Sequence, residues 1–279
     1  SLHDALPISY RPFDNRYTYF TNKTNGFIVR PVYETMHHFI DTDNLGLIIG
    51  QQGMVVGNMP WNLAFITDSI TDLNVFYRGG GYVYPLYVAE QIGDKMEVRL
   101  NIKPTILQEI ETRLDEKIEP QELLYYFYAI LYSNNYRKAF KPFLDYNFPY
   151  VPYPDKAIYH ELAALGKQLA DLHLMHQSDT WKSSMTCIGS GDLNLEYFYF
   201  MEEKDGKGRV QINDYEAFGN ISEAAYKFYI GGYQPLQKWL KDRKGEKLNF
   251  EQLKHYSKMV YAVTETIGLM EQIDNIYQP

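Results

Sequence analysis

Residues 120–133, PQELLYYFYAILYS, constrain this chain more than any other stretch. They are apolar nearly all round, with Pro120 at the start, so they read as a helix that must be covered on every side. A second helix is predicted over 155–176. There Ile158, Leu162, Leu165, Leu169 and Leu172 recur at helical spacing and form one stripe. A third begins at Asn249, which makes a capping box with Gln252, and carries the stripe Leu253, Tyr256, Val260, Val263, Ile267 and Met270. A chain with these elements needs a large helical core.

The first hundred residues read differently. RYTYF (16–20), LGLIIG (45–50), MVVG (54–57), LAFIT (63–67) and YVYPLYVAE (82–90) are rich in β-branched and aromatic residues and are broken by Gly, Asn and Pro, the signature of short strands. One short helix is expected near 31–40, with Pro31 in its first turn. RGGGY (78–82) is a turn leading into the last strand. The period changes after Pro104. FLDYNFPYVPYP (143–154) reads as an extended crossing segment anchored by aromatics. LEYFYFMEEKDGKGRVQIND predicts two strands with Asp205-Gly206 as the hairpin turn. The expected fold class is α+β, a strand-rich part (9–104) followed by a mainly helical part (105–279) with a small inserted antiparallel sheet, both in one domain.

Ser1–Ile8 shares no pattern with the rest and can be back-translated into the bases of a common sequencing adapter. It is expected to be a processing scar, left out of the fold, in front of the back part of a longer protein.

Hydrophobic residues at 45% and charged residues at 22% are ordinary for a globular chain. The 26 tyrosines are many; their flat apolar rings with a polar tip suit cores, interfaces and stacking on bases. No apolar run of about 18 residues predicts a membrane span, and no signal segment stands out. The single Cys187 excludes an internal disulfide and fits a reducing compartment, so a cytoplasmic location is expected. The net charge of −8 argues against a simple nucleic-acid coat protein. Its distribution is uneven. Arg11, Arg16, Lys23 and Arg30 face only Asp14 in their stretch, and seven basic residues between Lys238 and Lys258 face three acids. The stretch Thr105–Tyr125 is the reverse, with Glu109, Glu111, Asp115, Glu116, Glu119 and Glu122 against Arg113 and Lys117.

Catalytic motifs are near misses. Gly189-Ser190-Gly191 lacks the outer glycines of a nucleophile elbow. His173 and His176 lie a helical turn apart without the Glu of a zinc-protease helix, and His173 continues an apolar face, so it reads as a packed histidine. Glu202-Glu203-Lys204 resembles the end of a metal-dependent nuclease motif but sits beside a turn, where charge is normal. Asn58-Met59-Pro60-Trp61 approaches the Asn-Pro-Pro-aromatic turn that grips an exocyclic amino group, but Met59 replaces the first proline and no donor-binding Gly-rich loop is present. No catalytic residue and no metal ligand is assigned.

Seven segments occur in a telling order: YRPFDNRYTYF (10–20), Trp61 with YPLYV (84–88), YAILYSNNYR (128–137), FLDYNFPYVP (143–152), LGKQLADLHL (165–174), IGGYQPLQKWLKDRKGEKL (230–248) and HYSKMVYAVTETIGLMEQID (255–274). The series, from about Tyr10 to Asp274, resembles the C-terminal specificity domain of type ISP restriction–modification enzymes and their single-chain relatives. The resemblance implies a DNA target-recognition domain, inactive alone, behind an N6-adenine methyltransferase domain that is itself preceded by nuclease and translocase domains. It implies double-stranded DNA and the upstream methyltransferase domain as partners. S-adenosylmethionine would bind upstream, with no cofactor in this chain. Two positions depart from the family pattern. Tyr150 stands where Phe-Pro-Arg-Ile-Pro has arginine, and Tyr132 where His is common.

Target recognition needs Arg, Lys, Asn and Gln at base edges and further cations at phosphates. The candidates are Arg11, Arg16, Lys23, Arg30, Gln51, Gln52, Arg78, Lys241, Arg243 and Lys244. Arg11, Asp14 and Arg16 also read as an internal salt-bridge cluster that anchors the domain. Two other readings stay open: a protein-interaction domain with a tyrosine-rich face, and a self-sufficient methyltransferase or nuclease working through 58–61 or 202–204.

Overall fold

The computed structural model describes residues 5–21, 23, 28, 30–93, 95–176 and 181–279. Its front part holds β1 (Leu6–Arg11), β2 (Asp14–Thr18), α1 (Tyr33–Met36), β3 (Gly46–Gly50), α2 (Gln52–Val55), β4 (Ala64–Thr67), β5 (Ile70–Thr71), β6 (Gly81–Pro85), β7 (Tyr87–Ile92) and β8 (Lys95–Leu100). Helices α3 (Pro104–Leu114), α4 (Pro120–Tyr132), α5 (Asn134–Ala139), α6 (Lys141–Leu144) and α7 (Tyr159–His173) follow. A sheet of β9 (Thr186–Ile188), β10 (Tyr199–Glu202), β11 (Lys207–Gln211) and β12 (Ala217–Ser222) is inserted before α8 (Glu223–Lys227), α9 (Pro235–Lys241) and α10 (Phe250–Ile276). The class is α+β, as expected.

Strand orders are β2-β1-β5, β4-β3-β6, the β7-β8 hairpin and β10-β11-β12-β9. All pairs are antiparallel except β1 with β5. One core runs from Phe13 to Tyr277 and joins the front part to the helices; a second, small one gathers Ile8, Met36, Phe39 and Ile70.

Helix α4 is covered as its sequence demands, with Tyr126, Tyr128, Ile130 and Tyr132 all buried. Its closest neighbour is α7, where Gly166 lets the two backbones meet. A Cβ there would lie 1.8 Å from the Tyr125 carbonyl oxygen. The SNN segment after α4 closes the far end of the chain. Ser133 caps α5 by accepting the Tyr136 N–H (3.0 Å) and donates to Asp274 at 2.7 Å. Asn135 donates from its backbone to Asp274 (3.0 Å) and from its side chain to the Asp274 and Tyr277 carbonyls. The capping box of Asn249 and Gln252 starts α10.

His173 is a packed histidine, 2% exposed. Thr266 donates its hydroxyl to the Ala262 carbonyl (2.7 Å), so toward His173 Nε2 (2.9 Å) it must accept. Nε2 therefore carries the proton, and Nδ1 accepts from the Tyr128 hydroxyl at 2.5 Å. Burial, helped by the nearby Arg137 charge, pushes the His173 pKa down to about 3. His176 instead pairs with Asp68 at 2.8 Å.

The structure corrects four sequence expectations. Leu6, Pro7 and Ile8, set aside with Ser1–Ile8, lie in β1, where Ile8 pairs with Arg16 and Ile70 and is buried. Apolar burial there outweighs the lack of sequence pattern; Ser1–Asp4 fall outside the described residues. MVVG is not a strand. Gln52–Val55 form a helical turn closed by Gly57 at φ +58°, and Gln52 Nε2 donates to the Gly57 (2.7 Å) and Met59 carbonyls. Pro31 precedes the N-cap, Val32, rather than entering α1. YVYPLYVAE is broken at Leu86, because Pro85 ends the pairing with β3. Beyond it, Asn44 stands in for a strand neighbour, accepting from the Tyr87 N–H (3.1 Å) and donating to its carbonyl (2.8 Å).

Two outcomes follow from the core. Gly166→Ala forces α4 and α7 apart and lowers stability by about 2–3 kcal/mol, read as a lower urea midpoint with an unchanged slope. The lowered His173 pKa means that only the unfolded chain takes up this proton near pH 6.5. This part of the stability is complete above about pH 6.5 and is lost as pH falls toward 3. A urea midpoint that stays flat from neutral pH to pH 4 would contradict the locked neutral ring.

Candidate nucleic-acid interface

The β1–β2 hairpin turns at Pro12-Phe13. Pro12 presets the turn and Phe13 takes φ +66°, a place usually filled by glycine. The strained turn drives Phe13 into the core, where its ring meets Phe65 (5.7 Å) and His173 (5.3 Å) edge-on. His255 Nε2 lies 2.8 Å from the Phe13 carbonyl and donates to it. Next to it Asp14, 4% exposed, accepts from Arg16 at 3.0 Å and from Arg243 at 3.1 Å. The hairpin is thus locked to the turn between α9 and α10.

Outward from this lock runs a ladder of alternating rings and cations. Arg16 lies over the Tyr10 ring at 3.7 Å, and Arg11 over the same ring at 3.9 Å. Arg11 also faces Tyr233 (5.5 Å) and pairs with Asp72 at 2.8 Å. Tyr233 meets Tyr77 edge-on at 5.7 Å, and Arg78 lies 5.2 Å from the Tyr77 ring. Lys238 lies 5.8 Å from Tyr233 and pairs with Asp242. Arg243 stacks on Trp239 at 3.9 Å. Each ring offers its negative face to a cation, which fixes the long side chains at low entropy cost.

The fold therefore brings Arg11, Arg16, Arg78 and Arg243 together. Arg16 remains 42% exposed at its side chain, and Arg78 is exposed at φ +60°, a conformation held here by its neighbours. Lys241 and Lys244 stand exposed on the α9–α10 turn with no ion pair among the described residues. Arg11 is committed to Asp72 and Arg243 to Asp14; of the expected Arg11–Asp14–Arg16 cluster, Asp14 does pair with Arg16, while Arg11 turns to Asp72 instead. Arg30 and Lys23 are exposed and outside the ladder, and Gln51 is the half-buried N-cap of α2. Gln52 is corrected: at 3% exposure, holding two carbonyls, it is not available to a base edge. Sequence reasoning misses Tyr10, Tyr77, Tyr233 and Lys238. The paired Tyr10-Arg11 and Tyr77-Arg78 dipeptides are the only local signal, and nothing local points to Tyr233.

The other motifs are structural. Trp61 is buried and donates to the Gly50 carbonyl at 3.1 Å, so 58–61 is a core-anchored turn. The Gly189-Ser190-Gly191 loop wraps the buried Glu216 carboxylate. It donates from Ser190 N (2.6 Å), Ser190 Oγ (2.9 Å) and Gly191 N (2.9 Å), with Asp192 N adding a bond at 3.2 Å. Burial alone would raise the Glu216 pKa, but these bonds outweigh it and pull it below the usual range. Glu203 lies 3.6 Å from Arg209 in an ordinary surface pair. The acids of α3 and the following loop meet Tyr153, Lys156 and His160, none of them in the ladder. Among the described residues no group of three His, Cys, Asp or Glu is placed to hold a metal ion, and no helix is long and apolar enough to cross a membrane.

Asp14→Asn removes the charge that two arginines share. The expected cost is about 3 kcal/mol, with Arg243 left half-buried and unpaired, read as a lower urea midpoint.

Residues 3–272 match the Type ISP C-terminal specificity domain. No curated protein matches the chain. Solved structures share its fold, three of them as follows. The ATP-dependent Type ISP restriction-modification enzyme LlaBIII bound to DNA has a TM-score of 0.71 at 19% identity, covering 98% of this chain and 18% of that one. A cryoEM structure of a DrdV–DNA complex gives 0.77 at 17% identity, covering 99% and 28%. A nuclease-deletion mutant of the Type ISP enzyme LlaGI with a DNA substrate mimic gives 0.68 at 20% identity, covering 96% and 20%. The chain thus spans less than a third of the length of each.

Proposed function

Since the chain belongs to the Type ISP C-terminal specificity domain family, we propose that it recognises a DNA target sequence through the ladder and the adjoining α9–α10 turn. It does so on behalf of an N6-adenine methyltransferase domain, using S-adenosylmethionine, in a longer polypeptide. The observation that carries this reading is the ladder. It collects exposed Arg16 and Arg78, beside Lys241 and Lys244, from stretches far apart in a chain whose net charge is −8. Arg78, held on the Tyr77 ring with no ion pair among the described residues, keeps its guanidinium edge free and pre-oriented, as bidentate contact to a guanine edge requires, while Arg16 shares its edge with Asp14. The unstacked lysines suit phosphates, which position the protein and carry no sequence information. Arg11 and Arg243 act as struts that hold this face, and the chain itself carries no methyl transfer. The matched structures, two Type ISP enzymes and DrdV, are DNA complexes, which supports the reading.

Fluorescence anisotropy with a labelled duplex tests it. The isolated chain binds at low salt, and the affinity falls steeply as salt rises. In Lys241→Glu/Lys244→Glu binding weakens for all sequences alike, and the salt slope falls by about 0.9 for each phosphate that the protein no longer neutralises. Arg78→Ala weakens binding to target sites more than to random duplex. Absence of binding at low salt sinks the proposal. Methyl transfer from labelled donor by the pure chain would move the reading to a self-sufficient methyltransferase.

A further inference from the structure

Beside the ladder, a pocket lies against the small, buried second core. It forms a cleft of about 750 Å³, within the range of about 300–1,000 Å³ usual for small-ligand sites. Ile8, Met36, Ile70 and Val83 form its apolar floor. Arg16, which also belongs to the ladder, and Arg30 both line it, and both are exposed. Thr35 and Asn74 also line it, and their side-chain polar groups make no hydrogen bond among the described residues. Tyr17, 77% exposed, lies at its edge.

An apolar floor, polar groups with spare hydrogen-bonding capacity and two exposed arginines match one chemistry: a flat heteroaromatic ring with a polar edge, tied to a phosphate. We propose that this cleft receives a single unstacked nucleobase from the DNA lying on the ladder. The base lies against Ile8, Ile70 and Met36. Its edge bonds to Thr35 and Asn74, and Arg16 and Arg30 hold the phosphates on either side. Arg16 links the two sites, since it contacts the ladder ring Tyr10 and lines the cleft. The inference rests on the proposed DNA-binding function and adds an extrahelical subsite to it. An apolar wall without stacked neighbours offsets the few kcal/mol that unstacking costs.

The test compares a plain labelled duplex with the same duplex carrying one extra, unpaired 2-aminopurine at its centre, where the unstacking cost is already met. The bulged duplex binds about tenfold tighter, and its 2-aminopurine becomes shielded from acrylamide quenching. Thr35→Trp fills the cleft and abolishes both the preference and the shielding, while plain-duplex binding through the ladder stays in place. Arg30→Gln, a surface change that leaves the fold intact, lowers the ratio of bulged to plain affinity. Equal affinity for the two duplexes, or a preference that survives Thr35→Trp, overturns the inference and leaves the DNA-binding reading standing. If neither duplex binds, the DNA-binding reading fails first, and the subsite with it.

Discussion

The architecture depends on one insertion, that of Phe13 into the helical core. The left-handed backbone at Phe13 costs about 1–2 kcal/mol, while burying its ring contributes about 1.5–3 kcal/mol. Burial wins, and the lock is reinforced by the Asp14–Arg243 pair and the His255 bond to the Phe13 carbonyl. With the hairpin tip held there, β1 can pair with β5 and border the small second core. The strand-rich and helical parts then share one hydrophobic interior rather than meeting as two bodies.

Charge follows from that lock. Arg11 and Arg16 leave the hairpin on either side of Tyr10, and the loop before α9, α9 itself and the α9–α10 turn bring Tyr233, Lys238 and Arg243 to meet them. An acidic chain thereby acquires a local cationic face, because long-range packing, not composition, decides where charges sit. The buried tyrosines play a different part. Tyr128 and Tyr132 spend their hydroxyls on His173 and on the Ala64 carbonyl (3.0 Å), so much of the high tyrosine content serves the interior.

The departures from the family pattern have physical accommodations. Tyr132 fills its site with an apolar ring whose hydroxyl reaches the Ala64 carbonyl, and Arg137 lies over that ring at 5.0 Å. Tyr150 is mostly exposed. It contributes its backbone, since the Tyr136 hydroxyl donates to its carbonyl at 2.8 Å, and no arginine is required there.

Periodicity alone determined α4, α7, α10, the capping box and the hairpin around Asp205-Gly206, because helical stripes and turn chemistry are local properties of the chain. The same local logic failed for MVVG, where four apolar residues have no period to read, and for YVYPLYVAE, where a proline divides one apolar run between two sheets. It also set aside Leu6–Ile8, whose place is visible only once β5 and α1 surround it. At the site, the sequence supplied the arginines and the lysines, and the resemblance supplied a purpose for them. Only the tertiary structure decided that Gln52 is buried, that Arg11 and Arg243 are struts, and that Tyr233 joins Tyr10 and Tyr77. The contacts of Tyr233 and Arg243 join residues more than a hundred positions apart, and Arg11 reaches Asp72 across 61 positions, contacts that exist only after the core has closed.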